Sequence, residues 1–435
     1  MFNQLPKNQS IAGVAILLAV VIAMVWANSP WNSLYTSFVG TEISLEVGDF
    51  HISESLLEWV NDAFMAIFFL KIGLELKREI LVGELSSPRQ AILPIGAALG
   101  GMVVPAIFYL IFNIDSPAGQ GWGIPMATDI AFALGVLSLF GKRVPLSLKV
   151  FLVAFATVDD LGSVLVIALF YTSDISYMDL FHGVLFFFVL LAASGQGIRK
   201  AWFYALVGIT GVWLSFFFSG VHPTIAGILT AFAIPGKVKL NEKDYLRRLE
   251  GLRSAFANSK PIGGTFISEE QLAILEKIKK ETDDAETPVQ KIERHLEPVV
   301  NFFILPLFAL VNTGIHIEGD FAEIFTHPIA LGIASGLILG KITGILGVSW
   351  LLVKMRLTEL HPDVSWKHLA GVSAIGGIGF TMSLFVTELA FSSEQYIIIS
   401  KLSILLTSLL AGILGAIILY FATRNPVEEQ FNKHR

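Results

Sequence analysis

Apolar residues recur along the chain in blocks of about 17–25, the length that crosses a bilayer's hydrocarbon core, with short polar segments between them. The pattern predicts twelve spans, at about 11–28, 56–76, 91–112, 122–140, 146–171, 178–196, 200–217, 221–236, 297–315, 328–353, 367–390 and 396–423. The first block, with Lys7 ahead and Ala27-Asn28-Ser29 behind, has the outline of a secretory signal. With eleven blocks following, it is read as a retained helix. The fold class expected is an all-α polytopic membrane protein.

Charge in the loops alternates in step with that count. Lys and Arg stand at Lys77, Arg78 and Arg89, at Lys142 and Arg143, at Arg199 and Lys200, throughout 237–294, and at Lys354, Arg356 and Lys367. The tail adds Arg424, Lys433 and Arg435, while the intervening loops carry acids such as Glu42, Asp115, Asp174, Glu318, Asp320 and Glu394. Basic loops stay inside, so both termini are expected in the cytoplasm. The expected organisation is spans 1–8 in 1–236, a charged cytoplasmic loop over 237–296, spans 9–12 in 297–423, and a cytoplasmic tail at 424–435. Alternation of apolar and polar residues over 41–52 predicts a short external β-hairpin. Residues 237–297 hold 12 basic and 12 acidic residues. There Asn241–Phe256 and Glu269–Lys280 have helical spacing, Ser268 and Gln271 form a capping-box pattern, and Pro261-Ile-Gly-Gly separates the two helices.

Composition agrees: 54% of residues are apolar and 15% charged, against roughly 25% charged in soluble domains. Cysteine is absent, which excludes a disulfide framework, an iron–sulfur cluster and a Cys-ligated zinc. No cofactor and no nucleic-acid partner is expected. The net charge of −6 says little, because orientation depends on where Lys and Arg sit.

The candidate chemistry is what the oil should reject. A charge at the centre of a span costs at least ~2.5–3.5 kcal/mol, yet the fifth span carries Asp159-Asp160 near its middle. Adjacent helical side chains point about 100° apart, so one can face a cavity while the other turns to a neighbouring helix. Lys341, in the middle of the tenth span, is the natural counterion. Its Gly-Leu-Ile-Leu-Gly-Lys-Ile-Thr setting lacks both the spacing and the strand-to-helix context of a phosphate loop. Two spans also look interrupted. The fourth reads Gly-Trp-Gly-Ile-Pro-Met-Ala-Thr128-Asp129, and the eleventh Gly377-Ile-Gly379-Phe380-Thr381-Met-Ser383. Mid-span breaks free backbone groups that oil cannot satisfy, so they must line a cavity or each other. Asp129 is expected to compensate the positive half-helix ends. Each break centres a trio, spans 3–5 and 10–12, and the trios enter the membrane from opposite sides, as inverted repeats do.

These residues resemble the NhaA family of sodium/proton antiporters, itself an example of that architecture. The motifs are Ala127-Thr-Asp-Ile-Ala-Phe-Ala-Leu-Gly-Val136, Val158-Asp-Asp-Leu-Gly162, Gly340-Lys341, Gly377–Ser383, Phe68–Glu79, Ser219-Gly-Val-His222 and Leu305-Pro-Leu-Phe-Ala309. The resemblance implies that Asp160 is the principal ion- and proton-binding carboxylate. Asp159 is then either a second ligand of Na⁺ (or Li⁺) or the salt-bridge mate of Lys341. It makes Asp129, Lys341 and Thr128 the charge-steadying set where two discontinuous helices cross, and Glu75, Arg78 and Glu79 part of a cytoplasmic pH-response region. Family members carry histidines at the start of span 9; here the run is Glu293-Arg-His295-Leu-Glu297, so carboxylates partly take their place. Pro223 follows His222 where alanine is usual, and Lys71, Glu388 and Lys401 are extra charges. Lys71 is expected to snorkel toward the inner face.

The function implied is electrogenic, pH-regulated extrusion of Na⁺ or Li⁺ for more than one proton by alternating access. The setting is the bacterial inner membrane and the assembly a homodimer joined through the 41–52 hairpin: a transporter, not an enzyme. The alternative is a sodium-coupled symporter of an organic anion with the same crossed helices, which calls for a roomier cavity and fewer buried carboxylates. An intramembrane aspartyl protease needs its two aspartates on separate helices, and here they are neighbours.

Overall fold

The computed structural model describes residues 5–47, 50–172, 175–260, 266–317 and 321–424. The loop acids Asp174, Glu318 and Asp320, the Pro261-Ile-Gly-Gly break and the tail from 425 onward lie outside the described residues. Helices dominate: α1 (Leu5–Ala27), α2 (Met65–Val82), α3 (Pro88–Asn113), α4 (Ile130–Ser138), α5 (Leu146–Phe170), α6 (Tyr177–Gly195), α7 (Ala201–Ser219), α8 (Thr224–Ala233), α9 (Glu242–Asn258), α10 (Glu269–Ala285), α11 (Pro288–Thr313), α12 (Pro328–Lys354), α13 (Trp366–Ile375), α14 (Phe380–Ala390) and α15 (Glu394–Thr423).

Among the described residues seven of these helices are long and apolar enough to cross a membrane: α3, α5, α6, α7, α11, α12 and α15. Two bent pairs raise the number to nine, namely the 3₁₀ segment Pro117–Met126 with α4, bent by 41°, and α13 with α14, bent by 46°. The chain is a multi-pass membrane protein. The twelve-block pattern counted three further stretches that length and apolarity alone do not support. The described apolar part of α1 (Ile11–Ala27) and α8 are short, and α2 is studded with Lys71, Glu75, Lys77, Arg78 and Glu79. The charges of α2 need a reason other than lipid.

Strands β1 (Glu42–Val47) and β2 (Phe50–Ser55) pair antiparallel, with Leu45 opposite Ile52 and Glu46 opposite His51. Ser55 at the end of β2 caps the helix that follows through a reciprocal bond with Glu58. The charged insertion folds as two helices. Asn241 caps α9, and the Ser268–Gln271 box caps α10. Arg248 meets Glu281 at 3.0 Å and Tyr245 meets Thr282 at 3.1 Å across the pair. At its base Arg199 donates to the carbonyls of Lys237 (2.6 Å) and Glu286 (3.1 Å).

The largest core cluster joins α3, α5, α11, α12 and the two bent pairs. A close-packed seam runs between α3 and α12. A Cβ on Gly100 would meet the carbonyl oxygen of Gly344, and one on Gly344 the carbonyl oxygen of Gly100. With lipid tails as apolar as Leu, such helices associate by close packing of small residues. Gly347, one turn further along α12, has nothing within 4 Å of its would-be Cβ. Gly344→Ala is therefore expected to cost ~1–3 kcal/mol by overpacking, whereas Gly347→Ala stays neutral or gains slightly from helix propensity. Thermal unfolding of the two variants in detergent checks this; equal melting temperatures would refute a close-packed seam.

Candidate ion-binding site

Four half-helix ends meet where the two bent pairs abut. The backbone amide of Asp129 donates to the carbonyl of Ile378 at 2.7 Å, Thr128 Oγ1 to the carbonyl of Gly376 at 2.9 Å, and Ser383 Oγ to the carbonyl of Ile124 at 2.7 Å. The first turn of a helix leaves amides without partners, and the last turn leaves carbonyls. Asp129 answers both starting ends. Its Oδ1 accepts from the amide of Phe132 in α4 at 3.1 Å. Its Oδ2 accepts from the amide (3.1 Å) and hydroxyl (2.5 Å) of Thr381 in α14. One carboxylate thus caps two positive helix ends.

Lys341 answers an ending one. It is wholly buried at the start of the regular part of α12. Its ammonium donates to the carbonyl of Met126, to Thr128 Oγ1 at 2.9 Å and to Asp159 Oδ2 at 2.9 Å, and it lies 5.8 Å from the centre of the Phe155 ring. Three oxygens around one ammonium use all its donors. Gly377 and Phe380 fit the same junction: a Cβ on Gly377 would meet the Leu337 carbonyl, and the Phe380 amide donates to Ser408 Oγ at 3.2 Å. Gly379 has room only for hydrogen, because a Cβ there would run into Ser383 Oγ.

The two adjacent aspartates of α5 part company. Asp159, 0% exposed, is spent on Lys341. Asp160, 1% exposed, has an Oδ1 without a hydrogen-bond partner, and it lines a cavity of about 850 Å³ together with Asp129 and Thr381. The same cavity is lined farther out by Lys71, Glu75, Arg78 and Glu79 of α2 and by Glu293, Arg294 and Glu297 of α11. Arg78 ties the two helices together, with Nη1 2.5 Å from Glu293 Oε1 and Nη2 3.6 Å from Glu79 Oε1. Among the residues expected at this mouth, His295 stands apart: its Nδ1 meets the carbonyl of Lys291 at 2.6 Å and it does not line the cavity. Among the described residues, no three His, Cys, Asp or Glu side chains converge as a metal cage. A cation at Asp160 would have to complete its shell with hydroxyls, carbonyls and water.

A family model described as "Na+/H+ antiporter 1" matches residues 3–419. The chain belongs to the NhaA family of Na⁺/H⁺ antiporters. Among its relatives, Na⁺/H⁺ antiporter NhaA 1 of Saccharophagus degradans is 45% identical over 417 residues, covering 95% of this chain and 90% of that one. NhaA of Oleidesulfovibrio alaskensis is 43% identical over 431 residues, covering 99% and 95%. NhaA 1 of Clostridium beijerinckii is 42% identical over 419 residues, covering 96% and 94%. Symport of an organic anion is not favoured, since the NhaA relatives are named as antiporters.

Some partners had no trace in the sequence. The acceptors of Lys341 and Thr128 include backbone carbonyls, which any residue type supplies. Others have a visible signal there: Glu388 and Lys401, the extra charges of the eleventh and twelfth spans, meet at 2.5 Å between α14 and α15. Opposite charges on neighbouring spans were the available signal.

Removing one partner of a buried ion pair costs about 3–5 kcal/mol because the other is left uncompensated. Lys341→Met is therefore expected to lower the melting temperature sharply in neutral buffer, and Lys341→Met/Asp159→Asn to recover much of the loss. A double variant as unstable as the single one would contradict the pairing.

Proposed function

We propose that the protein extrudes Na⁺ or Li⁺ in exchange for protons, with Asp160 as the carboxylate that holds either cargo. One observation carries this reading. Each of the two adjacent buried carboxylates has an unpartnered Oδ1, but Asp159 is paired with Lys341, whereas Asp160 lines the cavity and makes no ion pair among the described residues. A carboxylate this deeply buried and without a protein cation paired to it is stabilised by a proton or a metal ion. A site that takes one or the other exchanges them.

The architecture proposed around it has twelve spans, eight in 1–236 and four in 297–423, with 237–296 and the tail from 424 on the cytoplasmic side. Spans 3–5 and 10–12 form inverted repeats whose broken members, the fourth and eleventh, cross at Asp129, Thr128 and Lys341. The setting is the bacterial inner membrane, and the hairpin 41–52 joins two copies. Ionised on the cytoplasmic side, Asp160 takes Na⁺; turned outward, it exchanges Na⁺ for a proton. A second proton goes to the Asp159–Lys341 pair, so more than one proton enters per sodium ion leaving. Each net charge moved inward then gains roughly 2.3 kcal/mol per 100 mV of membrane potential. Loading requires an ionised site, so exchange rises with pH until protons become scarce. The region of Glu75, Arg78, Glu79, Glu293 and Glu297 around the cavity mouth is where pH would act first, with His295 at its margin.

Proteoliposomes holding the Asp160→Asn variant are expected to show no Na⁺-induced collapse of an imposed pH gradient, while Asp160→Glu keeps a measurable fraction. Exchange at the wild-type rate by Asp160→Asn would exclude this residue as the site.

A further inference from the structure

Lys71 has no part in the exchange as derived so far, yet it lines the cavity that leads to Asp160. It sits one helical turn before Glu75 on α2, with Nζ 2.6 Å from Glu75 Oε1 and both side chains largely buried. Its ammonium ends on a carboxylate inside the cavity, one turn nearer the Lys77-Arg78 end of α2. Glu293 and Glu297 of α11 act electrostatically on the same ammonium. The nearby guanidinium of Arg78 is already engaged by Glu293 and Glu79, so Glu75 relies on Lys71.

We propose that Lys71 is a tethered counter-cation of the cavity and sets the affinity with which Na⁺ is taken up. This rests on the antiport reading above. Na⁺ and an ammonium are both monovalent cations seeking carboxylate oxygens, and the path to Asp160 passes the carboxylates of Glu75, Glu293 and Glu297. With Lys71 on Glu75 the cavity is one charge less negative than its acids alone would make it. The covalent tether keeps that cation present at any sodium concentration. Its effect is to hold sodium affinity down, so that the ion is not trapped short of Asp160.

Removing the charge raises the local concentration of Na⁺. For one unit charge acting across an aqueous cavity the expected change is about three- to tenfold. The test uses everted membrane vesicles, whose outer face is the cytoplasmic one, in alkaline buffer at constant ionic strength. Lys71→Met is expected to lower the KM for Na⁺ by about three- to tenfold, Lys71→Arg to keep the wild-type KM, and Lys71→Met/Glu75→Gln to return KM toward wild type. Equilibrium ²²Na⁺ binding to the purified full-length variants reads the same affinity where turnover is lost, and Lys71→Gln substitutes if Lys71→Met does not fold. An unchanged affinity in the single variant, or a gain that persists in the double variant, overturns the proposal. Should Asp160→Asn still exchange at the wild-type rate, it is the assignment of Asp160 as the site that fails, whatever Lys71 does.

Discussion

Backbone ends and charges buried in a bilayer have no water to turn to, so each must find its complement inside the protein. The junction of the two bent helices meets that requirement with very few groups. Asp129 caps both starting ends, Lys341 takes the carbonyl of Met126, and the Thr128 hydroxyl takes the carbonyl of Gly376. Lys341 in turn needs a negative partner, and Asp159 supplies it. Once these demands are met, every charge at the junction is spoken for except that of Asp160. The carboxylate without an ion-pair partner is the one left over when its neighbours' charges have been matched.

The same constraint explains α2. A helix bearing five charged residues cannot face lipid cheaply, and it does not. Lys77 donates to the carbonyls of Phe232 (2.6 Å) and Ile234, tying α2 to the end of α8. Lys71, Glu75, Arg78 and Glu79 turn into the cavity. The cavity is what makes α2 tolerable, and α2 supplies much of its charge. Glu297 lines the cavity as a carboxylate beside Glu75, Glu79 and Glu293, so the opening is rich in acids.

Much of this could be read from the sequence because charges and glycines are conspicuous in apolar blocks. Asp159-Asp160, Lys341, Thr128-Asp129 and Gly377–Ser383 stood out for that reason, and the 100° step along a helix already required the two aspartates to face differently. Their distribution between Lys341 and the cavity was not readable, because helix rotation is set by packing between spans remote in sequence. The placing of Asp129 at the positive half-helix ends was readable, but not its partner Thr381, brought to it from 252 positions away. Length and apolarity alone do not mark α1, α2 and α8 as spans, since a block average does not distinguish a helix that faces lipid from one that faces a charged cavity.

The account stands on Na⁺ and protons competing for Asp160. Adding Na⁺ to the purified protein in weakly buffered alkaline solution and titrating the hydrogen ions set free tests that competition most directly. The account predicts that protons appear as sodium is bound, with sodium affinity falling as the solution is made more acidic. Sodium binding of constant strength across the pH range, with no acid liberated, would contradict it.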